Sequence, residues 1–330
     1  MSEKDKKIQH HFKESMLMEQ ENEKSLRLKK QLEVLLGSQI YSYLNDDSIF
    51  EVIANPDGNI FLKTTEGDKK SSYNLPADKR RQIINQIAGY VNIVANTEKP
   101  LPAAEFFYMR FQGFLPPIVK APAFNIRKHS KRVFLLDEYV QKGIMTERQR
   151  QIILKAVKDK KNIVVAGGTG SGKTTLLNAI LAEISQTKDR VVIIEKEPEL
   201  QCIAENRLSL QATDEISMDA LLKATLRATP DRIIVGEVRG GEALTLLDAW
   251  NTGHNGGAST IHANSAKSTL TRLNQLVARV LDKNTEYVIG EAVDIIIYIE
   301  CIGVQRKIDS ILKVVEYDKK TEEYILEELV

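Results

Sequence analysis

The sequence predicts an α/β chain in two parts: an N-terminal α+β domain, then a domain built on a mainly parallel sheet covered on both faces. Three observations carry this. First, apolar β-branched runs alternate with helical patterns from residue 162 to 299, which is how a parallel sheet with crossover helices reads. Second, "SIFEVIANPDGNIFLK" (48–63) is two alternating runs around an Asn-Pro-Asp-Gly turn, a hairpin signal. Third, the first apolar run of the second half ends in a glycine-rich turn that opens a helix.

Residues 1–36 are charged and helical in pattern, with no Gly or Pro before Gly37, and form an N-terminal extension. Its apolar face (Ile8, Phe12, Met16) is short, so a solvated or partner-contacting helix is expected rather than a membrane-surface one. The α+β domain spans 37–132. After the hairpin, Ile83, Ile84, Ile87 and Val91 fall at helical spacing within 76–92. "EFFYMRFQGFLPPIVKAPAFNIRKH" (105–129) reads as short strands broken by Gly113 and by Pro116-Pro117. Residues 133–150 are read as a linker, with a helix start near Thr146.

The final domain covers 151–330. Strands are expected at 162–166, 190–194, 232–235, 257–262 and 294–299. Helices are expected at about 173–187, 217–228, 241–251, 265–281 and 285–292, with an antiparallel tail hairpin at 305–316 and 323–329.

Bulk properties exclude several classes. The 330 residues carry a net charge of +1, so nothing argues for a nucleic-acid-binding surface, and no direct sequence-specific nucleic-acid binding is expected. Two distant cysteines, Cys202 and Cys301, form no CxxC pair; a zinc site or disulfide framework is not expected, and a reducing cytosol is the default. No secretory h-region and no apolar run of membrane-spanning length occurs. Membrane contact would be peripheral or through a partner.

The chemistry concentrates in three segments. "NIVVAGGTGSGKTTLLNAI" holds Gly167-x-x-x-x-Gly172-Lys173-Thr174 between a strand and a helix, the context that makes a P-loop. Backbone N–H groups over Gly167, Gly168, Thr169, Gly170, Ser171, Gly172 and Lys173 to Thr175 would wrap the phosphates of ATP. Lys173 would bridge β- and γ-phosphates, and the Thr174 hydroxyl would ligate Mg²⁺. "RIIVGEVRGGEA" supplies Glu237 at a strand end, with Gly236 where a common Walker B strand has Asp; Glu237 would act on the metal through water. "GHNGGASTIHANSA" ends a strand at His262; Thr260 lies two residues back and points the same way. If that strand neighbours the P-loop strand, both reach the γ-phosphate side, and His262 serves as a sensor. His254 is read as a loop residue.

Taken in order, "GGTGSGKTT", "DRIIVGEVRGGEA" and "GHNGGASTIHANSA" resemble the ATPases of type II and type IV secretion and pilus machines. The string "RIIVGEVRGGEALTLLDAWNTGHNGGASTIHANSA" is most similar to the TrbB-like conjugative-transfer branch, over roughly residues 33–310. The four-cysteine zinc module common in type II secretion ATPases is excluded by the cysteine count. The resemblance implies a RecA-like second domain and a homo-oligomer, a hexameric ring. The ring would sit at the cytoplasmic face of the inner membrane, with secretion or conjugation machine components as partners. It further implies that Arg110 and Arg127 of the N-terminal domain contact nucleotide phosphates and that Arg239 lies near the site. The family's acidic box, typically Glu-Asp-Thr-x-Glu, here reads Glu195-Lys196-Glu197-Pro198-Glu199. Glu195 is the expected water-activating residue and Glu199 the expected second acid, while Glu197 has no assigned role and Lys196 puts a cation in place of an acid. A pilus assembly or retraction ATPase stands as one alternative, and a nucleotide-gated scaffold with weak hydrolysis as another.

Overall fold

The computed structural model describes residues 23–64, 66–106, 109–129, 132–282 and 285–330. The apolar face expected at Ile8, Phe12 and Met16 lies outside them, with residues 1–22 of the charged extension. The chain forms two compact units, which divide between Lys131 and Arg132.

In the N-terminal unit, α1 (Glu23–Asn45) is two helical pieces joined at Gly37, whose φ of 72° no helix accommodates. The expected hairpin is β1 (Ile49–Ala54) and β2 (Asn59–Thr64), and β3 (Gly67–Asn74) continues the meander. Helix α2 (Ala77–Tyr90) buries Ile83, Ile84 and Ile87. Strands β4 (Ala103–Phe106), β5 (Met109–Phe114) and β6 (Ala123–Lys128) complete a six-stranded antiparallel sheet ordered β3-β2-β1-β6-β5-β4. Its core gathers Leu36 and Ile40 from α1, the three isoleucines of α2, and Phe111, Phe124 and Ile126 of the sheet.

Gly113 does not break β5, as the sequence suggested; it is paired with Phe124 inside the strand. A Cβ there would meet Pro102 at 2.9 Å. The glycine therefore admits a close neighbour rather than ending the strand. The Pro116-Pro117 break is real and separates β5 from β6.

The second unit begins with α3 (Leu136–Gln141) and α4 (Glu147–Lys158). Thr146 caps α4 through a reciprocal box: its Oγ1 accepts from the Gln149 N–H at 3.2 Å, and its own N–H donates to Gln149 Oε1 at 2.8 Å. The stretch read as a linker thus carries its own helix, and Leu136, Tyr139 and Met145 are buried in a core shared with the sheet.

Strands β7 (Ile163–Gly167), β8 (Val191–Glu195), β9 (Arg207–Gln211), β10 (Arg232–Val235), β11 (Ala258–His262) and β12 (Ile295–Ile302) pair in parallel. The long β13 (Gln305–Asp318) and β14 (Glu323–Glu328) add an antiparallel edge, giving the order β14-β13-β12-β7-β11-β10-β8-β9. Five of these strands were expected, with the tail hairpin; β3 and β9 were not.

Period-two alternation divides the core into two layers. Val164, Ala166, Val192, Ile194, Ile233 and Val235 face one layer. Helices α6 (Met218–Thr225), α7 (Glu242–Asn251), α8 (Ala266–Val277) and α9 (Thr285–Ala292) supply Leu222, Leu246, Trp250, Leu273 and Ile289 to it. Ile163, Val165, Val191, Ile193 and Ile234 face the other layer, against α3, α4 and α5 (Lys173–Ile184). Among the described residues no helix is long and apolar enough to cross a membrane.

Candidate nucleotide-binding and catalytic site

The parallel order sets the site. With β8, β10, β11 and β7 side by side, Glu195, Gly236, His262 and Gly167 all fall at carboxyl ends of adjacent strands, where ligands bind open α/β sheets.

β7 ends at Gly167, and the loop to Lys173 turns through Gly170 (φ 74°) and Gly172 (φ 98°). Gly167 tolerates no side chain, since a Cβ there would lie 2.2 Å from the Ile299 carbonyl oxygen and 2.6 Å from Ser171 Oγ. Ser171 Oγ is buried and has no hydrogen-bond partner among the described residues. Helix α5 starts at Lys173, so its unpaired N–H groups face the loop. The Lys173 ammonium is buried, donating to the Gly168 carbonyl at 2.8 Å and to His262 Nδ1 at 3.2 Å.

That contact fixes the histidine tautomer. An ammonium only donates, so Nδ1 must accept and the proton sits on Nε2. Nε2 lies 3.2 Å from Glu237 Oε1 and donates to it. Burial and the charge of Lys173 hold the imidazole below its ordinary pKa, against an opposing pull from Glu237. His262 is therefore neutral near pH 7, and its contact with Glu237 is a hydrogen bond rather than an ion pair. Glu237 Oε2 takes Arg239 Nη2 at 2.8 Å, and the same nitrogen lies 3.4 Å from Glu197 Oε2. The hydrogen bond that Arg239 donates to Glu237 leads the causes that hold the guanidinium above its usual range. A continuous polar chain thus runs from the Gly168 carbonyl through Lys173, His262, Glu237 and Arg239 to Glu197.

Glu195 is buried at the end of β8, its Oε1 accepting the N–H groups of Glu199 and Leu200 at 3.0 Å each. It lies directly over Gly236: a Cβ on that glycine would stand 3.0 Å from Glu195 Cγ and 3.1 Å from Oε1. Glycine at the Walker B position is what leaves room for Glu195. The Glu199 N–H is what bonds Glu195, whereas the Glu199 carboxylate adds its charge at Arg239. Lys196 is exposed and joins no ion pair among the described residues.

Sequence reasoning misplaced two residues. Thr260 does share a strand face with His262, but it is buried at 1% and donates to the Gly236 carbonyl at 2.7 Å. One pleat deeper in the sheet, it fixes the Walker B backbone instead of reaching phosphate. Glu197, left without a role, is the terminal acid of the polar chain; only its pairing with Arg239, distant in sequence, shows this.

Arg110 and Arg127 belong to the other unit. They are exposed and face each other across β5 and β6, in a row that runs Glu51, Arg127, Arg110, Glu105 across four strands. Glu105 also meets His129 at 2.9 Å.

Metal ligation fits one mode. Among the described residues no cluster of three or more His, Cys, Asp or Glu could hold a metal ion, and Cys202 and Cys301 are both free thiols. Glu237 already receives Arg239 and His262. A Mg²⁺ here would take oxygen ligands from Thr174, water and phosphate, the mode that ion prefers.

Comparison with known proteins agrees with this architecture. The family described as Type II/IV secretion system protein matches residues 38–315. The chain belongs to that family. It is 45% identical over 295 residues to the conjugal transfer protein TrbB of Rhizobium radiobacter, covering 88% of this chain and 91% of that one. It is 29% identical over 281 residues to the type IV secretion system protein VirB11 of Bartonella quintana (strain Toulouse), covering 72% and 79%. In fold it is similar to the Legionella pneumophila ATPase DotB, with a TM-score of 0.64 at 19% identity, over 88% of this chain and 82% of that one.

Proposed function

We propose that this family member is a Mg²⁺-dependent ATPase that works as a homo-oligomeric, hexameric ring. It would power conjugative DNA transfer or type IV secretion and pilus assembly from the cytoplasmic face of the inner membrane. Its partners would be components of that machine, and it would not itself read DNA sequence. The observation that carries this is the polar chain from the P-loop carbonyl to Glu197, built on the carboxyl ends of neighbouring strands. Similarity to TrbB and VirB11 supports the choice of machine.

The residues divide the work by chemistry. The glycine-rich loop and the start of α5 bind the phosphates through N–H groups. Lys173 moves its ammonium from the Gly168 carbonyl and His262 onto the β- and γ-phosphates. Glu195, aimed by two N–H groups, orients the attacking water. His262, released by Lys173, reports the γ-phosphate to Glu237. Thr174 and, through water, Glu237 would hold Mg²⁺, whose bound charge offsets that building on the phosphate oxygens. Arg110 and Arg127 would supply phosphate contacts from the N-terminal domain, since the guanidinium fork matches phosphate oxygens.

A Lys173→Ala variant should lose at least about a hundredfold of its ATP turnover, because no other side chain replaces a phosphate-bridging ammonium. Full turnover in that variant, measured by phosphate release, would overturn the proposal.

A further inference from the structure

The P-loop is held from outside by a residue that no motif marks. A loop that turns its N–H groups inward toward phosphate turns carbonyls outward, and these need donors of their own. Lys173 takes the Gly168 carbonyl. The Gly170 carbonyl is taken by Nη2 of Arg306, on β13, at 3.5 Å. The stem of Arg306 lies under Gly172: a Cβ there would meet its Cδ at 3.2 Å and its Nε at 3.3 Å. Ile299, on the neighbouring β12, completes the bed, with its carbonyl beneath Gly167 and its δ-methyl near Gly172.

The same stretch of β13 is tied to the segment that enters this unit. Two residues beyond Arg306, the Ile308 N–H donates to the Ile144 carbonyl at 2.7 Å. The Ile308 carbonyl accepts from Gln149 Nε2 at 3.1 Å, and Gln149 is the buried partner in the α4 cap. Tyr139 of α3 is buried, which pushes its phenol up, and the Arg306 charge opposes that shift.

We infer that Arg306 is a positioning residue for nucleotide binding: it braces the outer face of the P-loop and couples the loop to residues 139–149. When the phosphates recruit Lys173, the Gly168 carbonyl loses that donor while Arg306 keeps its grip on Gly170. The brace therefore matters most in the nucleotide-bound state. A displacement of 139–149 reaches the P-loop through Ile308 and Arg306, and nucleotide binding stiffens 139–149 by the same route.

This rests on the P-loop being the ATP site. The experiment uses full-length wild-type, Arg306→Ala and Arg306→Lys proteins, with MgADP as the probe. Calorimetry gives affinity, and hydrogen exchange follows the peptide containing 144–149. Arg306→Ala should bind MgADP about tenfold more weakly. Arg306→Lys should fall between the two, since it keeps the charge and loses the fork. MgADP should slow exchange at 144–149 in wild type and not in Arg306→Ala. Equal affinity in all three proteins overturns the inference. So does a lower melting temperature of Arg306→Ala with unchanged affinity, which would make the residue merely structural. If Arg306→Ala does not fold, Arg306→Lys decides: wild-type affinity together with wild-type protection overturns the inference. A wild-type chain that binds no MgADP removes the reading of the site, and the inference falls with it.

Discussion

Gly236 occupies the position where a common Walker B strand carries aspartate, and restoring the acid should damage the enzyme. The backbone there is pinned on both sides. The Gly236 N–H donates to the Ile194 carbonyl at 3.0 Å, and its carbonyl accepts from Thr260 Oγ1 at 2.7 Å. A new side chain therefore cannot be accommodated by moving the strand, and Glu195, 3.0 Å from the added Cβ, must yield. In Gly236→Asp a second carboxylate also enters beside Glu195. At a separation of about 4 Å and an effective dielectric of about 20, the repulsion is about 4 kcal/mol. Displacing Glu195 also strains its two bonds from the Glu199 and Leu200 N–H groups, each worth about 1.5–3 kcal/mol for a charged acceptor. If half of the repulsion and one bond are lost to the transition state, about 3.5–5 kcal/mol in all, kcat falls about 400- to 5,000-fold. Gly236→Ala adds only the steric part and should lower kcat about 3- to 10-fold. MgADP affinity should change less than about twofold in both, because the P-loop lies on another strand. Steady-state phosphate release, with calorimetry as the binding control, measures both. A folded Gly236→Asp protein as active as wild type would refute the placement of Glu195 at the reacting centre.

Other residues give separable outcomes. Burial raises the Asp189 carboxyl, but hydrogen bonds from Lys160 and Arg232 outweigh it and bring it down to about 2 from 3.8. A depressed carboxylate stabilises the fold fully above its unfolded value and loses that contribution as pH falls toward the folded one. Here the gap corresponds to about 2 kcal/mol, lost between about pH 4 and pH 2. Asp189→Asn should cost about 3–5 kcal/mol at pH 7, since Arg232 is buried with its charge; urea melts at pH 7 and pH 3 should show the difference between the proteins narrowing with acid. Lys196 is exposed, so Lys196→Asp should alter kcat by less than about threefold at physiological ionic strength. A collapse in steady-state turnover would give that lysine a function of its own. Arg239→Gln removes the cation shared by Glu237 and Glu197; kcat should drop about tenfold with KM little changed, as for an interaction that matters mainly in the transition state.

What the sequence revealed tracks how local the cause is. The P-loop was legible because strand, glycines and Lys-Thr are contiguous and each has a local reason. The buried strands were legible as β-branched runs, as β8 and β10 show. Strands β3 and β9 escaped because both are edge strands with exposed polar residues, "GDKKSSYN" and "RLSLQ"; β3 rests on pairing, and β9 adds only the partly buried Leu208 and Leu210 to the core. Thr260 shows the limit of a parity rule: alternation gives the face of a side chain but not its depth, and one pleat is about 7 Å. Glu197 and Arg306 were invisible for a different reason. Their partners, Arg239 and Gly170, come from remote segments, and only the fold brings them together.

The acidic box shows how a changed motif can retain its charge arrangement. Beyond the end of β8 the chain turns so tightly that the Glu199 and Leu200 N–H groups return to Glu195. That turn leaves Lys196 exposed and sends Glu197 toward Arg239. The lysine that replaces the family's aspartate therefore faces water, where screening weakens it. The glutamate that replaces the threonine provides the inward carboxylate. Counted by position in space rather than in sequence, the site keeps Glu195 as one buried acid and Glu197 with Glu237 on either side of one arginine. A glutamate at 197 reaches Arg239 where the shorter threonine would carry no charge to it, so the substitution strengthens the far end of the polar chain. By this reasoning Glu197→Thr, which restores the family's residue, should lower turnover in this chain, and unchanged kinetics would show that Arg239 needs only Glu237.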